Sequence, residues 1–372
     1  MPSPSYVLEM DKLKRNLALI ADVQHRAGVS IILALKGFAT WKVFPLVKEY
    51  LSGATASSLN EARLIFEEMG CKAHTYAPVY LPAEFAEIMR YSSHITFNSI
   101  NQYKQYKDHL ARAPHRISPG IRVNPEFSEV EVELYNPCAP GSRLGEVRTA
   151  FDQGLPNGVE GLHFHTLCES SSYDLEKVLK AFEKRFSEFF PKLKWVNFGG
   201  GHLMTRKGYD IEHLIKLLKD FREKHGLEVI LEPGSAIAWE TGVLVATVLD
   251  VIESSGIKTA MTDISFTAHM PDTLEMPYRP RITGASAPQE GKPTYRIGGA
   301  SCLAGDYMTG YSFENELKIG DRLVFEDMIH YTMVKTNTFN GVKHPSICLL
   351  HEDGRVEVVR SFGYEDYRDR LS

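Results

Sequence analysis

Eight short runs of apolar, β-branched or aromatic residues alternate with helical patterns through the first two-thirds of this chain, and nothing else in the sequence limits the fold so tightly. Such alternation is the signature of βαβ units wound around a parallel sheet. The runs fall at 31–35, 54–56, 74–76, 94–97, 120–123, 159–164, 195–197 and 228–231. Eight parallel strands predict a (β/α)8 TIM barrel. Its outer helices show in the spacing: Leu175, Val178, Leu179, Phe182, Phe186 and Phe189 form one apolar stripe, and Ile211, Leu214, Ile215, Leu218 and Phe221 another. Ser58 followed by Glu61 predicts a capping box that opens a helix carrying Leu59, Ala62 and Phe66.

After about Ser235 the pattern changes to longer strand-like stretches, 243–252 and 322–325 among them, with turns rich in Gly and Pro. Two domains are therefore expected: an α/β barrel at 9–235, and a mostly β domain at 236–372 that 1–8 joins through the run Tyr6 to Leu8. The stretch 282–293 reads as a loop. A length of 372 residues suits one large domain with a smaller one.

A formal net charge of −5 leaves no basic excess for nucleic acid or a membrane surface, so a small molecule is the expected partner. The most apolar later stretch, 236–249, is interrupted by Glu240 and is too short to span a bilayer. The first ten residues lack the pattern of a signal or transit peptide, which predicts a cytoplasmic protein. The five cysteines are scattered and form no CxxC pair, so free thiols are expected and no metal site.

In such a barrel the chemistry sits where strands end. This sequence places Lys36, Ser57, Asn98, Arg122, His165, Gly199-Gly200-Gly201 and Glu232 at those ends. A lysine after a strand is most often a solvated loop residue, but one held in a partly desolvated site has a lowered pKa and forms Schiff bases readily. Glycines after the seventh strand let backbone N–H groups approach a phosphate. A carboxylate such as Glu232, bound to a pyridine nitrogen, would keep that nitrogen protonated and make the ring an electron sink. His163 and His165 share one face of their strand. Their spacing leaves open a metal site, a packed core histidine, or stacking on an aromatic cofactor.

Several motifs in one order resemble the pyridoxal-phosphate decarboxylases of the alanine-racemase-like fold, fold type III, which include ornithine, arginine and diaminopimelate decarboxylases. They are Ala34-Leu35-Lys36, Arg122-Val123-Asn124-Pro125, Gly161-Leu162-His163-Phe164-His165, the triple glycine, Glu232-Pro233-Gly234, Cys302 with Asp306, and Tyr331 followed by Phe339-Asn340-Gly341. The resemblance implies pyridoxal 5'-phosphate held by Lys36 as a Schiff base and stacked by His165. It also implies a phosphate bound by Gly199, Gly200, Gly201 and Tyr331, with Glu232 on the ring nitrogen and Arg122 near the ring. Cys302, given by a second subunit, would return a proton to the substrate carbon, so a homodimer with shared sites is implied.

Departures from the family pattern bear on the substrate. Ser235 stands where an arginine usually follows Glu-Pro-Gly, Cys168 replaces a serine, Ala54 and Thr55 lack an acidic residue, and Leu303 replaces the glutamate after the cysteine of diaminopimelate enzymes. The stretches His165-Thr166-Leu167-Cys168-Glu169 and His269-Met270-Pro271-Asp272-Thr273-Leu274-Glu275 are instead similar to carboxynorspermidine and carboxyspermidine decarboxylases, which make norspermidine and spermidine. Ser235, Ala236, Asp272, Glu275 and Asp306 are then the expected substrate-binding positions. The competing readings are decarboxylation of diaminopimelate or ornithine, a metal-dependent hydrolase built on His163 and His165, and a pyridoxal-phosphate carrier without turnover.

Overall fold

The computed structural model describes residues 1–130 and 135–372. They divide into two compact units, Asn16–Ile237, and Met1–Arg15 with Ala238–Ser372. The first strand, β1 (Ser5–Glu9), belongs to the second of these units. The next eight are β2 (Ser30–Ala34), β3 (Gly53–Ala56), β4 (Ala73–Ala77), β5 (Ser92–Phe97), β6 (Ser118–Arg122), β7 (Gly161–His163), β8 (Trp195–Asn197) and β9 (Glu228–Leu231). From β3 on, each is parallel to the one before it, and β9 closes on β2, so the expected barrel forms. The sixth run, 159–164, narrows to β7, although Glu160 and Phe164 still donate backbone N–H groups to the neighbouring strand segments.

Side chains alternate across a strand, so residues two apart share the inward face. Ile32, Trp195 and Ile230 pack together in the lower layer. There His74 and His94 stack with ring centroids 3.8 Å apart, and His94 meets the Trp195 indole edge-on. The indole also explains two glycines: a Cβ on Gly161 would lie 2.1 Å from it and one on Gly120 2.3 Å. With the bottom of the barrel plugged, the next inward positions toward the C-terminal ends are polar: Tyr76, Arg122, His163 and Asn197.

The helices Ser172–Phe186 and Ile211–His225 bury the stripes expected of them, Leu175, Val178, Leu179, Phe182 and Phe186 in one, Leu214, Ile215, Leu218 and Phe221 in the other. Ser58 caps the helix Leu59–Leu64 by accepting the Glu61 N–H, while the Glu61 carboxylate reaches back to the N–H of Ser57 rather than of Ser58. Of Leu59, Ala62 and Phe66, only Ala62 is buried.

The second unit is a nine-stranded sheet. It comprises β1, β10 (Gly242–Ser254), β11 (Ile257–Thr262), β12 (Ala285–Ser286), β13 (Thr294–Gly298), β14 (Tyr307–Phe313), β15 (Arg322–Glu326), β16 (Ser346–Leu350) and β17 (Val356–Arg360). Strand β1 lies between β10 and β16, antiparallel to the first and parallel to the second. The stretch expected to be loop contributes the two-residue β12, which pairs with β14. Among the described residues no helix is long and apolar enough to cross a membrane.

Candidate active site

Lys36 lies two residues beyond β2 on the inward pleat. It lines an open cavity of about 230 Å³ with Ser57, Tyr76, Arg122, His165 and Glu232. Solvent reaches Lys36 through the mouth, yet protein atoms crowd it. That desolvation, and next the Arg122 charge, lower its pKa, with Glu232 partly opposing them. A lysine so placed gives up its proton more readily, which favours the neutral amine a nucleophile needs.

Its Nζ is 3.5 Å from His165 Nε2. His165 Nδ1 accepts the Gly200 N–H at 3.0 Å, so this network assigns the ring hydrogen to Nε2, facing the amine. Burial first, then the charges of Lys36 and Arg122, hold the imidazole pKa well below its usual value. The ring is therefore neutral.

Glu232 follows β9 and is buried. Its Oε1 accepts Asn197 Nδ2 at 2.7 Å, and the Thr55 hydroxyl also donates to the carboxylate. The Asn197 amide has one possible orientation, because its Oδ1 accepts the Gly199 N–H at 2.8 Å. Burial raises the Glu232 pKa, while the bonds from Asn197 and Thr55 and the charges of Lys36 and Arg122 pull it down. Arg122 donates to the His165 carbonyl at 3.1 Å and lies over the Tyr76 ring at 4.9 Å, leaving its Nε without a partner among the described residues.

One ligand atom each from His163, His165 and Glu232 lies within 4.8 Å of the others, which is a metal-like spacing. The surroundings oppose a cation there, since burial and then the Lys36 and Arg122 charges depress the pKa of both histidines, and His165 Nδ1 is already bonded to Gly200. Orphaned nitrogens on Arg122 and His163, a lysine of lowered pKa and a buried carboxylate suit instead an anionic, electrophilic, ring-bearing ligand. Pyridoxal phosphate is such a group.

The triple glycine has a stricter reason than expected. A Cβ on Gly199 would meet the Phe164 carbonyl at 2.6 Å, on Gly200 that of Glu232 at 2.5 Å, and on Gly201 that of Leu167 at 2.2 Å. Gly199 and Gly200 already donate their N–H groups within the chain, so of the three only the Gly201 N–H lacks a partner among the described residues. Of the three, the Gly201 N–H is therefore the one left to donate to an anion such as a phosphate.

The remaining expected residues divide between the units. Ser235 and Ala236 begin the helix Ser235–Ala238 in the barrel unit. Ala236 is 1% exposed, so its side chain is packed interior. In the sheet unit Tyr331 is half-buried, and Cys302 is exposed on a loop whose N–H donates to Asn340 Oδ1 at 2.9 Å. Asp306 is buried with both carboxylate oxygens accepting backbone N–H groups, from Thr267 and Ser301. These bonds shape the Cys302 loop. Glu275 pairs with Lys335. Asp272 is buried with Oδ2 accepting from Tyr278 and Thr332 at 2.7 Å each, and Oδ1 has no partner among the described residues. Sequence reasoning did not single out Tyr76 or Asn197. Counting inward positions by twos, back from Asn98 and Gly199, would have marked Asn197 but not the aromatic contact of Tyr76.

A barrel mouth that gathers a lysine of lowered pKa, a neutral histidine and a buried carboxylate defines a cofactor-binding enzyme of the pyridoxal-phosphate kind. A sequence profile described as pyridoxal-dependent decarboxylase, C-terminal sheet domain, matches residues 6–329. The carboxyaminopropylagmatine decarboxylase of Synechocystis sp. is 52% identical over 372 residues, all of this chain and 96% of that one. The carboxynorspermidine/carboxyspermidine decarboxylase of Campylobacter jejuni is 45% identical over 376 residues, 98% of this chain and 97% of that one. The crystal structure of carboxynorspermidine decarboxylase from the same organism, complexed with norspermidine, matches with a TM-score of 0.93 at 43% identity, both chains being wholly covered. This chain belongs to the pyridoxal-dependent decarboxylases, and pyridoxal phosphate is its cofactor.

Proposed function

We propose that this chain removes the α-carboxylate from the amino-acid end of a carboxylated polyamine, carboxynorspermidine or carboxyspermidine, in polyamine biosynthesis. The observation that carries the chemistry is the Lys36 amine, lowered in pKa and 3.5 Å from a neutral His165, in the same cavity as buried Glu232. The relatives named for carboxylated polyamines carry the substrate.

The cofactor supplies a pyridinium ring that takes up the electron pair left when CO2 departs. Lys36 would be the amine that carries it, and Gly201 with Tyr331 would hold its phosphate. His165 would lie against its ring, and Arg122 fixes the loop behind His165 through the carbonyl. Glu232 would hold a proton at the ring nitrogen. Cys302 supplies the proton that replaces CO2 on the α-carbon. We infer further that two copies of the chain form a homodimer in the cytoplasm, each copy lending its exposed Cys302 to the other's barrel.

Asp272 is the acid best fitted to a distal substrate cation, because one of its oxygens lacks a partner. A second reading, carboxyaminopropylagmatine as the substrate, is favoured by the 52% identity over the whole chain. It differs in ending with a guanidinium in place of an ammonium. The test compares kcat/KM for carboxynorspermidine, carboxyspermidine, carboxyaminopropylagmatine, diaminopimelate and ornithine. A carboxylated polyamine should lead by at least about a hundredfold, since a site without a partner for a second carboxylate strongly rejects diaminopimelate. A lead for diaminopimelate or ornithine would overturn the reading.

A further inference from the structure

His163 is buried at the centre of the site, yet neither of its ring nitrogens has a hydrogen-bond partner among the described residues. Leaving a buried polar group so is costly, and a hydrophobic residue would fill the space without that cost. Register shows where the ring points. His163 is the direct partner of Arg122 on β6 and of Asn197 on β8, so the three side chains form one inward row. Glu232 lies one pleat beyond Ile230, which is the partner of Asn197 on β9.

The two oxygens of Glu232 are used differently. Oε1 is held by Asn197, whereas Oε2 faces His163 Nε2 at 3.7 Å. That is too long for a hydrogen bond, but about 0.7 Å of movement would make one. The groups around the ring are Tyr76 from β4, edge-on at 5.3 Å, Arg122 from β6, and Lys36 beyond β2. Burial and then those two cations keep the imidazole uncharged, so it has one N–H to give and no charge to place against a carboxylate.

We propose that His163 is a positioning residue for the decarboxylation: it donates Nε2–H to Oε2 of Glu232, and this third donor keeps Glu232 a carboxylate, so that the shared proton stays on the cofactor's ring nitrogen. The inference rests on the pairing of Glu232 with that nitrogen. The physical link is direct, because each donor to a carboxylate lowers its proton affinity. Asn197 and Thr55 supply two donors to a group that burial otherwise drives toward the neutral acid. Without a third, the proton would move to Glu232 and the ring would lose its positive charge.

The test uses holoenzyme loaded with pyridoxal phosphate carrying 15N in the ring, and reads the nitrogen chemical shift together with kcat and KM. His163→Phe keeps a flat ring but has no donor, and His163→Gln restores an N–H. The wild type and His163→Gln should show a protonated ring nitrogen. His163→Phe should move it toward the unprotonated value and lower kcat by about ten- to a hundredfold with KM little changed, the usual scale for a supporting hydrogen bond. If His163→Phe does not fold, His163→Met, which adapts to irregular space, replaces it. A protonated nitrogen in the donor-free variant overturns the inference, as does equal loss in the Phe and Gln variants. Glu232→Gln separates this from the reading beneath it: a ring nitrogen indifferent to Glu232→Gln refutes the Glu232 pairing. One that responds to Glu232→Gln but not to His163→Phe refutes only the role of His163.

Discussion

Lys36 and Cys302, the residues proposed for the two chemical steps, lie in different compact units of the chain. Each variant alone should be nearly inactive: Lys36→Ala loses the amine that borohydride traps with the cofactor, and Cys302→Ala loses a proton donor worth roughly 10²–10⁴ in kcat. If sites are shared in a dimer, mixing the two inactive proteins should restore roughly a quarter of the wild-type sites after random exchange. No recovery despite demonstrated exchange would place Cys302 on its own subunit's site or outside it. Lys36, His165 and Glu232 were legible in the sequence because each is a chemically distinctive residue just past an apolar run. Asn197 and Thr55 were not, since their value comes from bonds to Glu232 that only the barrel register creates. The backbone bonds from Thr267 and Ser301 to Asp306 are likewise invisible in its sequence context, because they come from the packing of the loops around it.

At the scale of elements, the barrel floor is set by one large residue and by two glycines that leave room for it. Trp195 on β8 fills the space that side chains on β6 and β7 would need, and its Nε1 donates to Ser118 Oγ at 2.8 Å. Gly161→Ala should therefore cost about 1–3 kcal/mol by overpacking, read as a lower urea midpoint with an unchanged slope. Adding Trp195→Phe, which shortens the ring, should recover part of that loss, and a Gly161→Ala protein as stable as wild type would refute the packing argument. The strands themselves were readable because buried parallel strands are almost continuously apolar. The limits of β7 were not: Glu160 reads as strand, but its side chain turns outward to Arg116, Lys194 and Ser118 below the first ladder pair. Strand β12, only two residues long, has no periodicity to detect.

At the scale of the whole molecule, histidines held neutral tie stability to pH. His74, His94, His163, His165 and His202 in the barrel unit, and His269 and His344 in the sheet unit, all have lowered pKa values with burial as the leading cause. For His94, His202 and His269 the value falls to about 4 from an unfolded 6.5. Between those two values the unfolded chain binds protons that the folded chain refuses, so unfolding gains favour as pH falls. Stability from these groups is complete above pH 6.5 and is lost progressively down to about 4, each of the three contributing on the order of 3 kcal/mol. Glu160, lowered to about 2, extends the loss below 4.5. Glu232 and Glu61, raised by burial, act in the opposite sense, favouring the folded state in acid, but they are two against seven. Urea unfolding of the holoenzyme should therefore show a much lower midpoint at pH 4.5 than at pH 7.5. Because cofactor release in acid would act in the same direction, the decisive comparison is His94→Gln, which lies in the barrel floor against His74 and Trp195, below the cofactor residues. If neutral burial is the cause, the variant loses less stability than wild type between the two pH values. An equal loss in both proteins would mean that His94 does not contribute through its charge.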